Sequence, residues 1–200
     1  MINDKCQVPL ILLAAGESKR MGTPKQLLTY NGLSLIRHAV IEAIESKCEP
    51  IVVVLGANRD RIDPEIKDLK VHITHNHNWQ QGMSASIAAG IDTLLMTSIN
   101  FDAVIVALGD QPFVTSQTYN LLTQRYYQNQ VKAVASNYSN TIGVPALFDR
   151  TLISELFQMK QQGGAKQLLK HYSDRRLNLN LPEAAIDIDT PADYLKLLKL

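Results

Sequence analysis

Three short apolar runs constrain the fold of this chain more than any other feature. They cover residues 8–15, 51–55 and 103–108, are rich in β-branched side chains, and each ends at a glycine. Apolar runs without polar alternation predict strands that are buried on both faces of a sheet. Residues 71–74 and 133–136 are weaker strand candidates of the same kind.

Longer segments with helical periodicity separate these runs. They cover residues 34–46, 84–96, 115–127 and 151–159, with Ser84 as the expected N-cap of the second. A last helix is predicted after Thr190, because Thr suits an N-cap, Pro191 suits the first helical position and Asp193 suits the first turn. Strands that alternate with helices predict an α/β, Rossmann-like fold: a mostly parallel twisted sheet with helices on both faces. The 200 residues are expected to form one domain, 1–200.

Composition excludes several classes of protein. The net charge is +1, so the chain lacks the basic excess of a nucleic-acid-binding protein. No apolar run reaches the roughly 18 residues of a membrane span, so no membrane partner is expected. The two cysteines, Cys6 and Cys48, are too few for a disulfide framework or a four-ligand zinc site. Because the first residues do not form a secretory signal, we expect a cytoplasmic protein.

The loop after the first predicted strand carries the most specific chemistry. Parallel sheets bind ligands at the carboxyl ends of their strands, and here the strand runs into Ala14, Ala15 and Gly16. Small residues let the backbone approach a ligand, and loop N–H groups then bind phosphate oxygens. Arg20 and Lys25 add positive charge, although a tight turn with solvated basic residues is the alternative. The glycine spacing fits neither the P-loop nor the dinucleotide fingerprint.

Five segments in order resemble the molybdenum cofactor cytidylyltransferases, a family of nucleotidyltransferases. They are residues 13–28, 82–87, 108–112, 143–148 and 186–193. The sequence departs from the family at residues 161–166, where Gln-Gln-Gly-Gly-Ala-Lys replaces a common Gly-Asp-x-Gly-Ala-Arg. That region is associated with the acceptor half of the site in the family, so the departure bears on the acceptor.

The resemblance implies a set of site residues. Those expected to bind the nucleotide are Leu13, Ala14, Ala15, Gly16, Arg20, Lys25, Gly82, Ser84 and Ser86. Those expected at the reacting phosphates are Arg20, Lys25 and Asp110. Asp110 also follows a predicted strand and is well placed to hold Mg²⁺, and Asp189 aligns with the family's second metal ligand, ahead of Asp187. The acceptor is expected at Gln111, Pro145 and Lys166.

The resemblance implies transfer of CMP from CTP to the phosphate of molybdenum-molybdopterin, with release of pyrophosphate. Molybdoenzymes or their maturation proteins would then be partners. A guanylyltransferase or a sugar-phosphate nucleotidyltransferase on the same fold is the nearest alternative. A non-catalytic molybdenum cofactor chaperone is an alternative of another class, left open by the altered acceptor segment. The missing dinucleotide fingerprint argues against a nicotinamide-dependent oxidoreductase.

Overall fold

The computed structural model describes residues 7–158 and 164–199 as an α/β fold. The nine strands in these ranges are β1 Leu10–Ala14, β2 Thr29–Tyr30, β3 Leu33–Ser34, β4 Ile51–Leu55, β5 His72–His75, β6 Ala103–Leu108, β7 Ala133–Tyr138, β8 Thr141–Asp149 and β9 Arg176–Asn180. Seven of them form one sheet in the order β5-β4-β1-β6-β8-β7-β9, and β2 and β3 form a separate antiparallel hairpin. The five predicted strands are all present, with shifted ends at β1, β5 and β7.

The sheet is mostly parallel, as predicted. Strands β5, β4, β1 and β6 run parallel to one another, and β7 runs parallel to β9. Strand β8 is antiparallel to both of its neighbours, and no strand was predicted over its residues. Pro145 lies inside this strand, and a proline normally argues against an interior strand. Here the register shifts from the pair Ala135–Ala146 to the pair Ser136–Gly143, so Pro145 falls in a bulge and needs no ladder partner.

The seven helices of the described ranges are α1 Leu35–Glu45, α2 Arg59–Ile66, α3 Met83–Met96, α4 Ser116–Asn129, α5 Ile153–Gln158, α6 Gly164–His171 and α7 Pro191–Leu197. The predicted start of α7 is confirmed, since Thr190 and Asp193 form a capping box around Pro191. The prediction that Ser84 caps α3 is wrong. Gly82 occupies the N-cap with φ 92°, and Ser84 lies inside the first turn. A glycine is favoured there because this φ strains other residues.

The core lies on both faces of the sheet, as predicted. On one face, Leu10, Leu12 and Ala14 of β1 pack with apolar residues of α1, α2 and α4. On the other face, Ile11 and Leu13 pack with residues of α3, α5 and α6. Alternate residues of β1 therefore serve opposite cores, which is why the run is apolar throughout. No helix within the described ranges has both the length and the apolar character needed to cross a membrane.

The parallel strands β1, β4 and β6 end at the same edge of the sheet, beside Gly16, Gly56 and Gly109. A Cβ atom at Gly56 would lie 2.5 Å from the Ala15 carbonyl oxygen and 2.8 Å from Trp79 Cβ. No side chain fits in that space, so glycine lets the loop after β1 pack directly against the end of β4. The loops at this edge enclose a cleft.

Candidate functional site

The cleft at the carboxyl ends of the strands has a volume of about 380 Å³. Its walls come from the loop after β1, the start of α3, the end of β6 and the segment before α7. The lining residues are Leu13, Ala14, Ala15, Gly16, Lys25, Gln26, Trp79, Gly82, Met83, Ser86, Leu108, Gly109, Asp110, Asp187 and Asp189. Sequence-predicted residues from four distant segments therefore line one cavity.

In the loop after β1, several carbonyl groups are hydrogen-bonded within the chain, whereas the N–H groups that follow are not. Gly109 N donates to Leu13 O at 3.0 Å, and Ala57 N donates to Ala15 O at 3.2 Å. The carbonyls of Ala14 and Gly16 accept from the side-chain amide of Gln26. By contrast, the N–H groups of residues 16–18 make no hydrogen bond to any described part of the chain. A loop with occupied carbonyls and unoccupied N–H groups is suited to binding an anion.

Two cations of that loop meet two carboxylates in the cleft. The Lys25 ammonium contacts Asp110 Oδ2 and lies 2.8 Å from Asp189 Oδ1. Arg20 donates to Asp189 Oδ2 at 2.6 Å. The side chains of Lys25 and Asp110 are only 13% and 17% exposed, whereas that of Arg20 is 70% exposed. Lys25 thus joins the two predicted metal ligands, and Arg20 lies at the rim.

This cluster determines the protonation of its members. Burial opposes the charge of Lys25, but Asp110 and Asp189 outweigh it and raise the pKa of the ammonium above its usual value. The hydrogen bond from Lys25 lowers the pKa of Asp189. Asp187 differs, because burial and the repulsion from Asp110 raise its pKa to about 6 despite a hydrogen bond from Gln111. Lys25 and Asp189 are therefore charged near neutral pH.

The acidic residues fit a divalent metal that also binds phosphate. Asp110 Oδ1 is buried and has no hydrogen-bond partner, so this oxygen is available as a ligand. Across residues 7–158 and 164–199, no group of three or more His, Cys, Asp and Glu side chains is arranged to hold a metal ion. Mg²⁺ typically takes one or two carboxylates and completes its shell with substrate phosphates and water. Asp110 and Asp189 match that requirement, and Asp187 lies beside them.

The start of α3 forms the opposite wall. Ser86 is buried and lines the cleft, and its hydroxyl accepts a hydrogen bond from Asn76 Nδ2 at 3.0 Å. Asn76 Oδ1 in turn accepts from Asn78 N, which fixes the orientation of the amide. With this bond made, the Ser86 hydroxyl keeps its proton available for donation. Ser84 is also buried but does not line the cleft.

The three residues predicted to bind the acceptor lie outside the lining of this cleft. Gln111 is buried behind it, and its amide donates to Ala184 O at 2.8 Å and to Asp187 Oδ1 at 3.1 Å. Pro145 is buried within β8, where its carbonyl accepts from Ser136 Oγ. Lys166 is exposed on α6. Residues 161–163 of the departing segment lie outside the described residues.

Five residues of the cleft wall were not among the predicted site residues: Gln26, Trp79, Met83, Leu108 and Gly109. Leu108 and Gly109 lie in the segment 108–112 that resembles the family. The Gln26 side chain is buried although it follows a charged lysine, and no periodic pattern marks it. Trp79 and Met83 flank the predicted Gly82, so proximity to that glycine was the available signal. Met83 is 46% exposed, an unusual exposure for a large apolar residue.

Known proteins resemble this chain over part of its length or over nearly all of it. The family model of the MobA-like NTP transferase domain matches residues 10–176. The molybdenum cofactor cytidylyltransferase of Escherichia coli (strain K12) is 22% identical over 94% of this chain and 94% of its own length. Nicotine blue oxidoreductase of Paenarthrobacter nicotinovorans is 34% identical over 62% of this chain, and the match spans 60% of that relative. Rv0371C of Mycobacterium tuberculosis H37Rv, solved in complex with manganese, has a TM-score of 0.73 at 23% identity and covers 96% of this chain and 98% of its own.

Proposed function

This chain belongs to the MobA-like NTP transferase family, and from that premise we propose that it transfers a nucleoside monophosphate from a nucleoside triphosphate to an acceptor phosphate. The observation that carries the proposal is the contact of Lys25 with both Asp110 and Asp189, beside the unoccupied N–H groups of the loop after β1. A triphosphate needs cations, unoccupied N–H groups and carboxylates for its metal in one place. The cleft brings all three together.

In the proposed reaction an oxygen of the acceptor phosphate attacks the α-phosphorus of the triphosphate. A new P–O bond forms as the bond from the α-phosphorus to the bridging oxygen breaks, and pyrophosphate leaves. The nucleophile is already an anion, so the site needs no strong general base. Catalysis then depends on positioning and on neutralising charge. We assign Lys25 to the reacting α-phosphate and Arg20, at the rim, to the outer phosphates.

Asp110 and Asp189 are the residues that would hold Mg²⁺. A bound divalent cation supplies charge neutralisation at phosphate oxygens. The unpartnered Asp110 Oδ1 supports this assignment. Lys25 and Arg20 balance the charge of the carboxylates through the ion pairs described above. Once the carboxylates bind a divalent cation, the same two side chains would bind the phosphates.

We further propose that the nucleotide is CTP and that the acceptor is molybdenum-molybdopterin in the cytoplasm. The full-length similarity to the Escherichia coli cytidylyltransferase supports both, as does the Ser86 donor, which suits the acceptor oxygen of a pyrimidine. Ser84 and Gly82 would then support the nucleoside, while Gln111 acts on the acceptor side through Asp187. Molybdoenzymes or their maturation proteins would receive the product.

The test is a screen of CTP, GTP, ATP and UTP with Mg²⁺ and a molybdopterin acceptor, in which pyrophosphate release is measured. The proposal expects release that depends on both the acceptor and the metal, and fastest with CTP. A preference for GTP would favour the guanylyl alternative, and release with a sugar phosphate would favour the sugar-phosphate alternative. Binding of the pterin without any pyrophosphate release would favour the chaperone and contradict the proposed transfer.

A redox reaction is a second candidate, favoured by the 34% identity to nicotine blue oxidoreductase. The N–H groups of the loop after β1 would also bind the phosphates of a nicotinamide dinucleotide. The absence of the glycine fingerprint argues against tight binding of such a cofactor. Titration with NADH and NADPH, followed by cofactor fluorescence, separates the two candidates. Binding of a dinucleotide in preference to CTP would favour the redox reaction.

A further inference from the structure

The Gln26 side chain is a buried polar group in the wall of the cleft. It is 2% exposed, and every polar atom of its amide has a partner. Nε2 donates to Gly16 O at 3.1 Å and to Ala14 O at 3.3 Å. Oε1 accepts from the Ser18 hydroxyl at 3.2 Å. The reversed amide would place Oε1 against two carbonyl oxygens, so only this orientation satisfies the group.

The two bonds from Nε2 orient the loop after β1. In a trans peptide, the carbonyl of one residue and the N–H group of the next point in opposite directions. A carbonyl that points toward Gln26 therefore turns the N–H group of the next residue away from Gln26. Gln26 binds the carbonyls of Ala14 and Gly16, and so orients the N–H groups of Ala15 and Glu17, which belong to the same two peptide planes. The N–H group of Glu17 has no partner among the described residues. Without Gln26, two carbonyl dipoles are free to turn toward a bound phosphate, which they would repel.

The bond to Ser18 connects this loop to Lys25. Ser18 adopts the left-handed backbone conformation with φ 61°, which is uncommon for a residue other than glycine. Its hydroxyl donates to Gln26 and accepts from Lys25 N at 3.1 Å. The chain of bonds therefore runs from the Ala14 and Gly16 carbonyls through Gln26 and Ser18 to the backbone of Lys25. The side chain of Lys25 then reaches both carboxylates.

We infer that Gln26 is a positioning residue, which directs the N–H groups of the loop and the Lys25 side chain toward one polyphosphate. It touches neither the acceptor nor the reacting atoms in this inference. The inference rests on the proposed function in that the polyphosphate is taken to be that of a nucleoside triphosphate. Its direct consequence is weaker phosphate binding when the amide is lost.

Inorganic tripolyphosphate with Mg²⁺ is the probe, and calorimetric titration gives its dissociation constant. Gln26→Met keeps the length of the side chain but removes both donors, and we expect about a tenfold weaker affinity from the lost bonds. Gln26→Glu places a carboxylate against the two carbonyls and is expected to weaken binding further. The matched control is Gln117→Met on an exposed position of α4, with unchanged affinity.

A folded Gln26→Met protein that binds tripolyphosphate as tightly as the wild type would overturn the inference. If that variant does not fold, Ser18→Ala tests the inference instead, since it removes only the hydroxyl between Gln26 and Lys25. An unchanged affinity of Ser18→Ala for tripolyphosphate would also overturn the inference. With CTP as substrate, KM should rise and kcat should fall, because the loop and Lys25 are positioned together. A purely structural role would lower the melting temperature and leave these constants unchanged.

The same experiment separates this inference from the proposed function. If the wild-type protein binds tripolyphosphate but releases no pyrophosphate from any nucleotide, the proposed transfer fails and the Gln26 variants still test the inference. If the wild type is an active transferase and Gln26→Met matches it in affinity, only the inference fails. A wild-type protein that does not bind tripolyphosphate contradicts both.

Discussion

Ile188 donates its backbone N–H to the carbonyl of Asp110 at 3.2 Å, which ties the segment before α7 to the end of β6. Ile188 is fully buried and packs with Met21, Leu35 and Leu197. Its neighbour Asp189 is therefore held close to Asp110, although the two acids lie 79 positions apart in the sequence. This one backbone contact explains how two acids from distant segments reach the same lysine.

Replacing Lys25 by alanine should lower kcat for pyrophosphate release by about 100-fold, the typical loss for a group that stabilises charge in the transition state. The matched control is Lys19→Ala, because Lys19 lies in the same loop with its side chain 77% exposed and forms an ion pair with Glu17. The control should retain its rate. A Lys25→Ala protein with the full rate would contradict the assignment of Lys25 to the α-phosphate.

Asp110→Asn and Asp189→Asn should each raise the Mg²⁺ concentration required for half-maximal activity and lower the maximal rate by about 100-fold. The reason is that each variant loses an anionic ligand, while Lys25 loses a partner. The readouts are the rate as a function of Mg²⁺ and Mn²⁺ binding followed by electron paramagnetic resonance in the presence of CTP. Asp60→Asn is the control, since that carboxylate is 92% exposed at the start of α2 and does not line the cleft. An unchanged metal requirement in both site variants would remove the metal assignment.

Gly56→Ala should destabilise the fold by about 1–3 kcal/mol, the usual cost of overpacking. The new Cβ would approach the Ala15 carbonyl oxygen to 2.5 Å, and backbone moves less readily than a side chain. Thermal unfolding measures the effect, and the affinity for CTP should fall because Ala15 lines the cleft. Gly16→Ala is the matched control for stability, because a Cβ there has nothing within 4 Å. Equal melting temperatures of the two variants would contradict this account of Gly56.

Asp149 should make the stability depend on pH in the acidic range. Burial opposes its ionisation, but hydrogen bonds from Thr151, Tyr126 and Lys132 outweigh burial and lower its pKa to about 2. The unfolded chain has the ordinary value near 3.8, so the stabilisation is complete above that pH and is lost as pH falls toward 2. Asp149→Asn should therefore lower the free energy of unfolding by about 1 kcal/mol at pH 7, after allowance for solvent screening.

The difference between Asp149→Asn and the wild type should shrink between pH 4 and pH 2, as measured by urea unfolding. Asp92→Asn on an exposed position of α3 is the control and should match the wild type at every pH. A difference that stays constant through the acidic range would show that the variant acts through packing and not through the charge of Asp149.

Much of the fold was predictable because its strands carry a strong local signal. Residues 51–55 and 103–108 are strands with the predicted bounds, since a strand covered on both faces must be apolar throughout. Strand β8 was missed because Gly143 and Pro145 interrupt its pattern, and only the bulge against β7 accommodates them. The N-cap of α3 was misassigned because Ser84 has the stronger capping propensity, whereas the backbone turns at Gly82.

Some residues of the site were likewise predictable from the sequence, and others were not. Arg20, Lys25, Asp110 and Asp189 were recognisable from their types and from the motifs around them, and they meet in the cleft. Gln26 was not recognisable, because its importance comes from the carbonyls that surround it and not from its neighbours in sequence. Gln111 was expected at the acceptor, but it lies buried behind Asp187, a position that depends on how the segment before α7 crosses the end of β6.

The sequence by itself determined the class of fold and the chemistry available at the loop after β1, because local periodicity and residue type are properties of short segments. The tertiary structure decided that Lys25 touches two acids from distant segments and that the Gln26 amide binds two carbonyls of the loop. Those facts depend on the order of the strands and on contacts between segments far apart in the chain. No local pattern encodes a distance of that kind.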